Sequence, residues 1–121
     1  MVIRTGLRFR SLAARGEGWI ACCRLFAGYP GWNGCASIDD IAISRRYRRS
    51  GVGRRLMDEA VAWTAALNLR AIRLETQSFN VSACRFYARY GFVLGGYDPY
   101  LHSQLDENVR KDVALYWYLF L

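Results

Sequence analysis

Ile38–Met57, IDDIAISRRYRRSGVGRRLM, runs from an isoleucine-rich extended segment through a glycine turn crowded with arginine and into a helix. Within it, Arg48-Arg49-Ser50-Gly51-Val52-Gly53 sets two glycines at the helix start. The backbone N–H groups of a first helical turn have no intrahelical partner and lie at the positive end of the helix dipole, so such a turn suits a phosphate or pyrophosphate. Glycine lets the chain come close to that ligand because no Cβ intervenes. A Walker-type loop would need Lys-Ser/Thr after its last glycine, and here Arg54-Arg55 follow. A dinucleotide fingerprint would need a third glycine where Leu56 stands. The stretch therefore reads as an anion-binding strand, loop and helix of another kind.

Downstream, Val52 to about Leu67 forms a helix whose apolar stripe is expected to be Val52, Leu56, Ala60, Trp63 and Leu67. Asn68-Leu69 closes it, and Ala71–Gln77 is a strand with Ile72, Leu74 and Thr76 on one face and Arg73, Glu75 and Gln77 on the other. Strand, helix and strand joined in this way imply parallel strands with a right-handed crossover. Asn80 is placed to cap a second helix, Val81–Tyr90, which Gly91 should end. Phe92 to about Tyr97 and Val113–Phe120 read as strands, separated by an Asp98-Pro99 break and a polar loop around Asp106, Glu107 and Asn108. Upstream, Leu7–Ala13 alternates as a strand, residues 15–18 suit a hairpin turn, and Trp19–Ala27 returns. A loop over residues 28–34 then leads to the strand Cys35–Ser44. The expected architecture is one α/β domain, an α+β mixed sheet with two main helices.

A length of 121 residues allows one core. No apolar run approaches the ~18 residues of a membrane helix. The opening MVIRTGLRFR lacks the apolar region of a secretory signal, so a cytoplasmic location is expected. Cys22, Cys23, Cys35 and Cys84 contain no CxxC pair, and His102 is the one histidine, so no metal site is expected and the thiols should be reduced. The net charge of +7 comes from 16 arginines and Lys111 against ten acids. Arg45, Arg46, Arg48, Arg49, Arg54 and Arg55 fall close together, which favours an anionic partner. Nucleic acid ranks last among such partners, since no aromatic stacking motif accompanies the arginines.

Asp39 and Asp40 stand between Ile38 and Ile41. Neighbours on a strand face opposite ways, so at least one of these acids should point to a pocket or to the packed face, unless a bulge or a sheet edge accommodates both.

Taken together, Arg48-x-x-Gly51-x-Gly53 after that strand, and Asn80, Ala83, Phe86-Tyr87 and Tyr90-Gly91-Phe92 after the next, resemble the GNAT superfamily of acetyl-CoA-dependent N-acetyltransferases. Residues 38–43, 74–77, 80–87 and 114–119 are similar to streptothricin acetyltransferases in particular. The resemblance implies a GNAT-like acyl-CoA N-acyltransferase fold, N-terminally shortened, since these enzymes open with a strand and two helices that wall the acceptor site. Either a second copy completes that wall or the chain is a shortened relative of impaired activity; the high apolar content and an expected exposed sheet edge favour a homodimer.

For the site, the resemblance implies that Arg48, Arg49, Ser50, Gly51, Val52, Gly53 and Arg54 hold the pyrophosphate of acetyl-CoA, mainly through backbone amides. Ile41, Ala42 and Ile43 would pair with the pantetheine arm as with an added strand, and Asn80 would sit beside it while also capping its helix. Acetyl transfer needs a neutral amine, whereas an alkyl ammonium has a pKa of ~10.4, so a base is required. Glu75 is the first candidate, with Asp39 and Asp40 as rivals and an ion pair to Arg73 as the structural alternative for Glu75. Tyr87 would protonate the departing thiolate, or simply pack beside Phe86 and Tyr90. The expected acceptor is a small polycationic amine of streptothricin type; the competing expectation is an acyl-CoA-binding relative without catalysis.

Overall fold

A computed structural model describes residues 5–8, 12–13, 19–27, 33–105 and 112–121. The chain forms two compact units, Met1–Ile72 with Leu121, and Arg73–Phe120.

In the first unit, β1 (Thr5–Arg8), β2 (Leu12–Ala13), β3 (Trp19–Ala27) and β4 (Cys35–Ile43) precede α1 (Val52–Ala66). Both β1 and β2 pair antiparallel with β3, and residues 9–11 of the expected strand Leu7–Ala13 lie outside the described residues. The hairpin turn expected at residues 15–18 lies outside the described residues, as does most of the loop at 28–34. β3 pairs antiparallel with β4. Alternation along β3 buries Ala21, Cys23 and Leu25 on one face, and Ala36 and Ile38 of β4 are buried as well. α1 packs against both strands.

The face of α1 differs from the expected stripe. Gly53, Leu56, Met57, Ala60 and Thr64 are buried, whereas Trp63 is half-buried and Leu67 is exposed. Small residues allow a close approach to the strands. Thr64 loses nothing by burial because its hydroxyl donates to the Ala60 carbonyl at 2.8 Å. The apolar count favoured Trp63, but a bulky indole cannot lie where the helix comes nearest the sheet.

The second unit contains most of β5 (Ala71–Gln77), then α2 (Val81–Tyr90), β6 (Val93–Asp98) and β7 (Ala114–Phe120). Strand order within it is β5, β7, β6, with β6 antiparallel to β7. Asn80 caps α2 as expected, its Oδ1 accepting from the Ala83 amide at 3.3 Å, and the Gly91 amide donates to the Tyr87 carbonyl at 3.2 Å where the helix ends. The core joins Leu74, Tyr87, Phe92, Ala114 and Trp117 to the buried Thr76. The polar loop expected around Asp106–Asn108 lies outside the described residues.

Thr76 links three elements. Its hydroxyl oxygen accepts from the Trp117 indole Nε1–H at 2.9 Å and lies 3.5 Å from the Cys84 sulfur. Replacing Thr76 by valine keeps the shape but leaves a buried indole N–H without its acceptor, which costs about 1–3 kcal/mol. The expected result is a lower midpoint in thermal or urea unfolding. A serine at the same position should recover most of the loss.

Candidate active site

The first unit carries the strand, loop and helix from Asp39 to Arg54. Residue Asp40 pairs in register with Arg24, and Ile38 with Leu25, so Asp39 is the extra residue of a β-bulge. Both Asp39 and Asp40 are exposed. Of the two readings, the bulge is the one that forms: it breaks the alternation and lets both carboxylates stay exposed. Ile41, Ala42 and Ile43 beyond it are half-buried.

A 3-10 turn, Arg45–Tyr47, follows β4. Arg48 donates through Nε to the Ile43 carbonyl at 3.2 Å, tying the loop to the end of the strand. Ser50 donates through its hydroxyl to the Tyr47 carbonyl. Arg49 (φ 63°) and Gly51 (φ 84°) are left-handed. For arginine that conformation costs roughly 1–2 kcal/mol, and strain of this kind gathers at ligand-binding loops.

Gly51 is the N-cap of α1, and no side chain caps the helix. The first helical hydrogen bond runs from the Arg55 amide to the Gly51 carbonyl at 3.1 Å. The Val52 and Gly53 amides precede it and stand outside the helical ladder. The loop thus presents backbone donors at a helix start, while Arg48 serves as a brace as well as a charge.

In the second unit, Tyr87 is buried with its ring edge-on to Phe86 and Phe92, at centroid distances of 5.5 and 5.4 Å. Glu75 is exposed on β5. The alternative of an ion pair with Arg73 is not what forms. Arg73 lies over the Tyr116 ring at 4.5 Å and donates to the Tyr118 hydroxyl at 3.2 Å.

Glu75 instead faces His102, with Oε1 3.6 Å from Nε2. The other imidazole nitrogen, Nδ1, is 2.9 Å from Oδ2 of Asp112. Asp112 is buried and accepts further bonds from the amide and hydroxyl of Ser78, at 2.7 and 2.8 Å. Burial pushes its carboxyl up, but the bonds from the Ser78 hydroxyl, His102 and the amides of Ser78 and Phe79 outweigh this, so its pKa is lowered. His102 and Asp112 were not singled out from the sequence as site residues. Ser78 and Asp112 lie 34 positions apart, and no local motif joins them. Among the described residues, no group of three or more His, Cys, Asp or Glu is placed to hold a metal ion.

The lowered pKa of Asp112 carries a sign. Its contribution to stability is fully present above the ordinary carboxylate value of ~3.9 and is lost as pH falls through the depressed folded value. Acid titration of unfolding should therefore show wild type losing stability as pH falls from about 3.9 through the depressed folded value, and Asp112→Asn should flatten this part of the profile.

The chain is an α/β protein with a mixed sheet and a glycine loop at a helix start. Solved acetyltransferases share the architecture, among them the ribosomal-protein-S18-alanine N-acetyltransferase of Escherichia coli, which matches 95% of this chain with TM-score 0.77 at 20% identity and is covered over 68% of its own length. The sequence signature of the Acetyltransferase (GNAT) family covers residues 5–92, and the chain belongs to that family.

Within it, the chain is 40% identical over 87 residues to streptothricin acetyltransferase A of Bacillus subtilis (strain 168), an alignment of 72% of this chain and 49% of that protein. Against a streptothricin acetyltransferase of Escherichia coli the identity is 43% over 89 residues, or 74% and 51% of the two chains. The chain spans about half the length of these curated relatives. A provisionally assigned streptothricin acetyltransferase from Bacillus anthracis, solved in complex with acetyl coenzyme A, superposes with TM-score 0.75 at 41% identity, covering 85% of this chain and 56% of that one.

Proposed function

We propose that the chain is an acetyl-CoA-dependent N-acetyltransferase that modifies a primary amine on a small polycationic substrate of streptothricin type. The observation that carries this reading is the 41% identity to a structure solved with acetyl-CoA, in a chain whose own α1 begins at an N-cap glycine without a side-chain cap. Under it, the amides from Arg49 to Arg54 bind the pyrophosphate, assisted by the arginines. Ile41, Ala42 and Ile43 bind the pantetheine arm, as does Asn80 in addition to its capping bond.

In the reaction, Glu75 takes the proton of the substrate ammonium. The freed amine attacks the thioester carbonyl carbon, a C–N bond forms and the C–S bond breaks. Tyr87 delivers its phenolic proton to the departing thiolate. Asp39 and Asp40, exposed on the bulge, attract a polycation and remain rivals of Glu75 as base. Such chemistry belongs in the cytoplasm, where acetyl-CoA is available.

β6 lies at the end of the strand order in its unit, and Val93, Leu94, Tyr97 and Phe120 are at least half exposed. A second copy covering this apolar row would produce the proposed homodimer. Sedimentation at micromolar concentration should show it, and a monomer would overturn it.

The function is tested by acetyl-CoA-dependent thiol release over streptothricin, aminoglycosides, polyamines and peptides. Release with a polycationic antibiotic is the expected result. Binding of acetyl-CoA with no release for any amine would instead establish the non-catalytic alternative.

A further inference from the structure

We propose that His102 is a positioning residue that couples Glu75 to the buried Asp112, forming a carboxylate–imidazole–carboxylate relay that takes up the proton Glu75 removes from the substrate ammonium. The inference rests on Glu75 being the base. It adds a residue and a proton route that this assignment does not contain.

The geometry supplies direction. Asp112 collects the Ser78 amide, the Ser78 hydroxyl and His102 Nδ1 as donors, with the Phe79 amide beside them. An ionised carboxylate can only accept, so Nδ1 must carry its proton toward Asp112. That leaves Nε2 as the nitrogen that gains and loses a proton, and it is the one that faces Glu75. The imidazole side chain is 14% exposed, against 40% for Glu75 and none for Asp112. The relay therefore runs from an accessible carboxylate to a sheltered ring held by a buried one.

Among the described residues, the charged groups paired with His102 are Glu75 and Asp112. The nearest cation along β5, Arg73, is occupied with Tyr116 and Tyr118. Ser78, immediately after β5, also receives the Val113 amide on its hydroxyl at 3.0 Å and donates its own amide to the Val113 carbonyl at 2.9 Å. Asp112 is thus fixed by backbone as well as by side chains. A histidine needed only for packing has no use for a second carboxylate at Nε2.

In chemical terms, the ammonium proton passes to Glu75 and then to Nε2, giving an imidazolium flanked by two carboxylates. Loss of that proton to water restores the neutral ring. No bond other than those to the proton changes, and Asp112 stays ionised throughout.

The test uses the whole chain and the fact that His102 is the one histidine, so its imidazole signals need no assignment. Long-range proton–nitrogen correlation on the wild type should show the neutral ring protonated at Nδ1, with Nε2 responding when Glu75 is changed to Gln. A neutral ring protonated at Nε2, or one indifferent to Glu75→Gln, would overturn the proposal. His102→Asn keeps an amide donor for Asp112 but has nothing at the Nε2 position.

This variant should keep its thermal midpoint and its KM for acetyl-CoA. Its kcat should fall about tenfold, a modest share of what acid–base catalysis typically supplies, and its kcat–pH profile should differ from that of wild type. A variant with wild-type kcat and pH profile would refute the relay. If the wild type releases no thiol with any amine, the enzymatic reading fails by itself, and the imidazole spectrum still decides whether His102 is coupled to Glu75.

Discussion

Tyr87→Phe is expected to lower kcat for acetyl transfer by about a hundredfold or more, the lower range for removal of a general acid, while leaving the KM for acetyl-CoA close to wild type. The ring itself stays, and with it the edge-on contacts to Phe86 and Phe92. A phenol suits the role because, with an ordinary pKa of ~10, it stays neutral until the thiolate forms. Steady-state kinetics paired with thermal unfolding checks this directly. A variant with wild-type kcat would remove Tyr87 from the mechanism and leave it as a core aromatic.

The second large effect concerns Gly51, and it separates charge from shape. Gly51 is exposed with φ 84°, and a Cβ built on it meets nothing within 4 Å. Asn and Asp are the side-chain-bearing residues that best tolerate this left-handed conformation, so both Gly51→Asn and Gly51→Asp should fold. If the amides after Gly51 hold a pyrophosphate, Gly51→Asn should retain most of the affinity for acetyl-CoA. Gly51→Asp places a carboxylate beside that anion and should weaken binding at least tenfold, about 1.4 kcal/mol or more, with the deficit shrinking as salt is added. Calorimetry on the pair decides. Equal affinities for the two variants would show that the loop does not hold the anion.

Much of the fold was legible because its signals are local. The helix starts at Val52 and Val81, the Asn80 cap, the end at Gly91 and the strand Ala71–Gln77 all follow from residues within a few positions of one another, and the structure places them there. The glycine loop was legible for the same reason, since its donors belong to consecutive residues. Its finer feature, the Arg48 bond to Ile43, needed the loop to turn back on its strand.

What was misread or missed depends on partners distant in sequence. Strand periodicity left open whether one of Asp39 and Asp40 faces inward or a bulge accommodates both, and the pairing with β3 decides for the bulge. Helical periodicity placed Leu56 and Ala60 correctly, but it favoured Trp63 and Leu67 where the folded helix buries Gly53, Met57 and Thr64. Glu75 was a reasonable choice as base from its place on a polar face, and Arg73 was its obvious partner two residues away. Tertiary structure gave Arg73 to the tyrosines of β7 and Glu75 to His102.

By itself, then, the sequence determined the order of elements, the glycine loop at the helix start and the family, because hydrophobic period, capping and glycine placement act over a turn or two of chain. Only the tertiary structure decided which acids are hydrated and which is buried, and what each ionisable group faces. Those outcomes depend on desolvation and on hydrogen bonds between residues as far apart as Ser78 and Asp112, which exist only once the chain has folded.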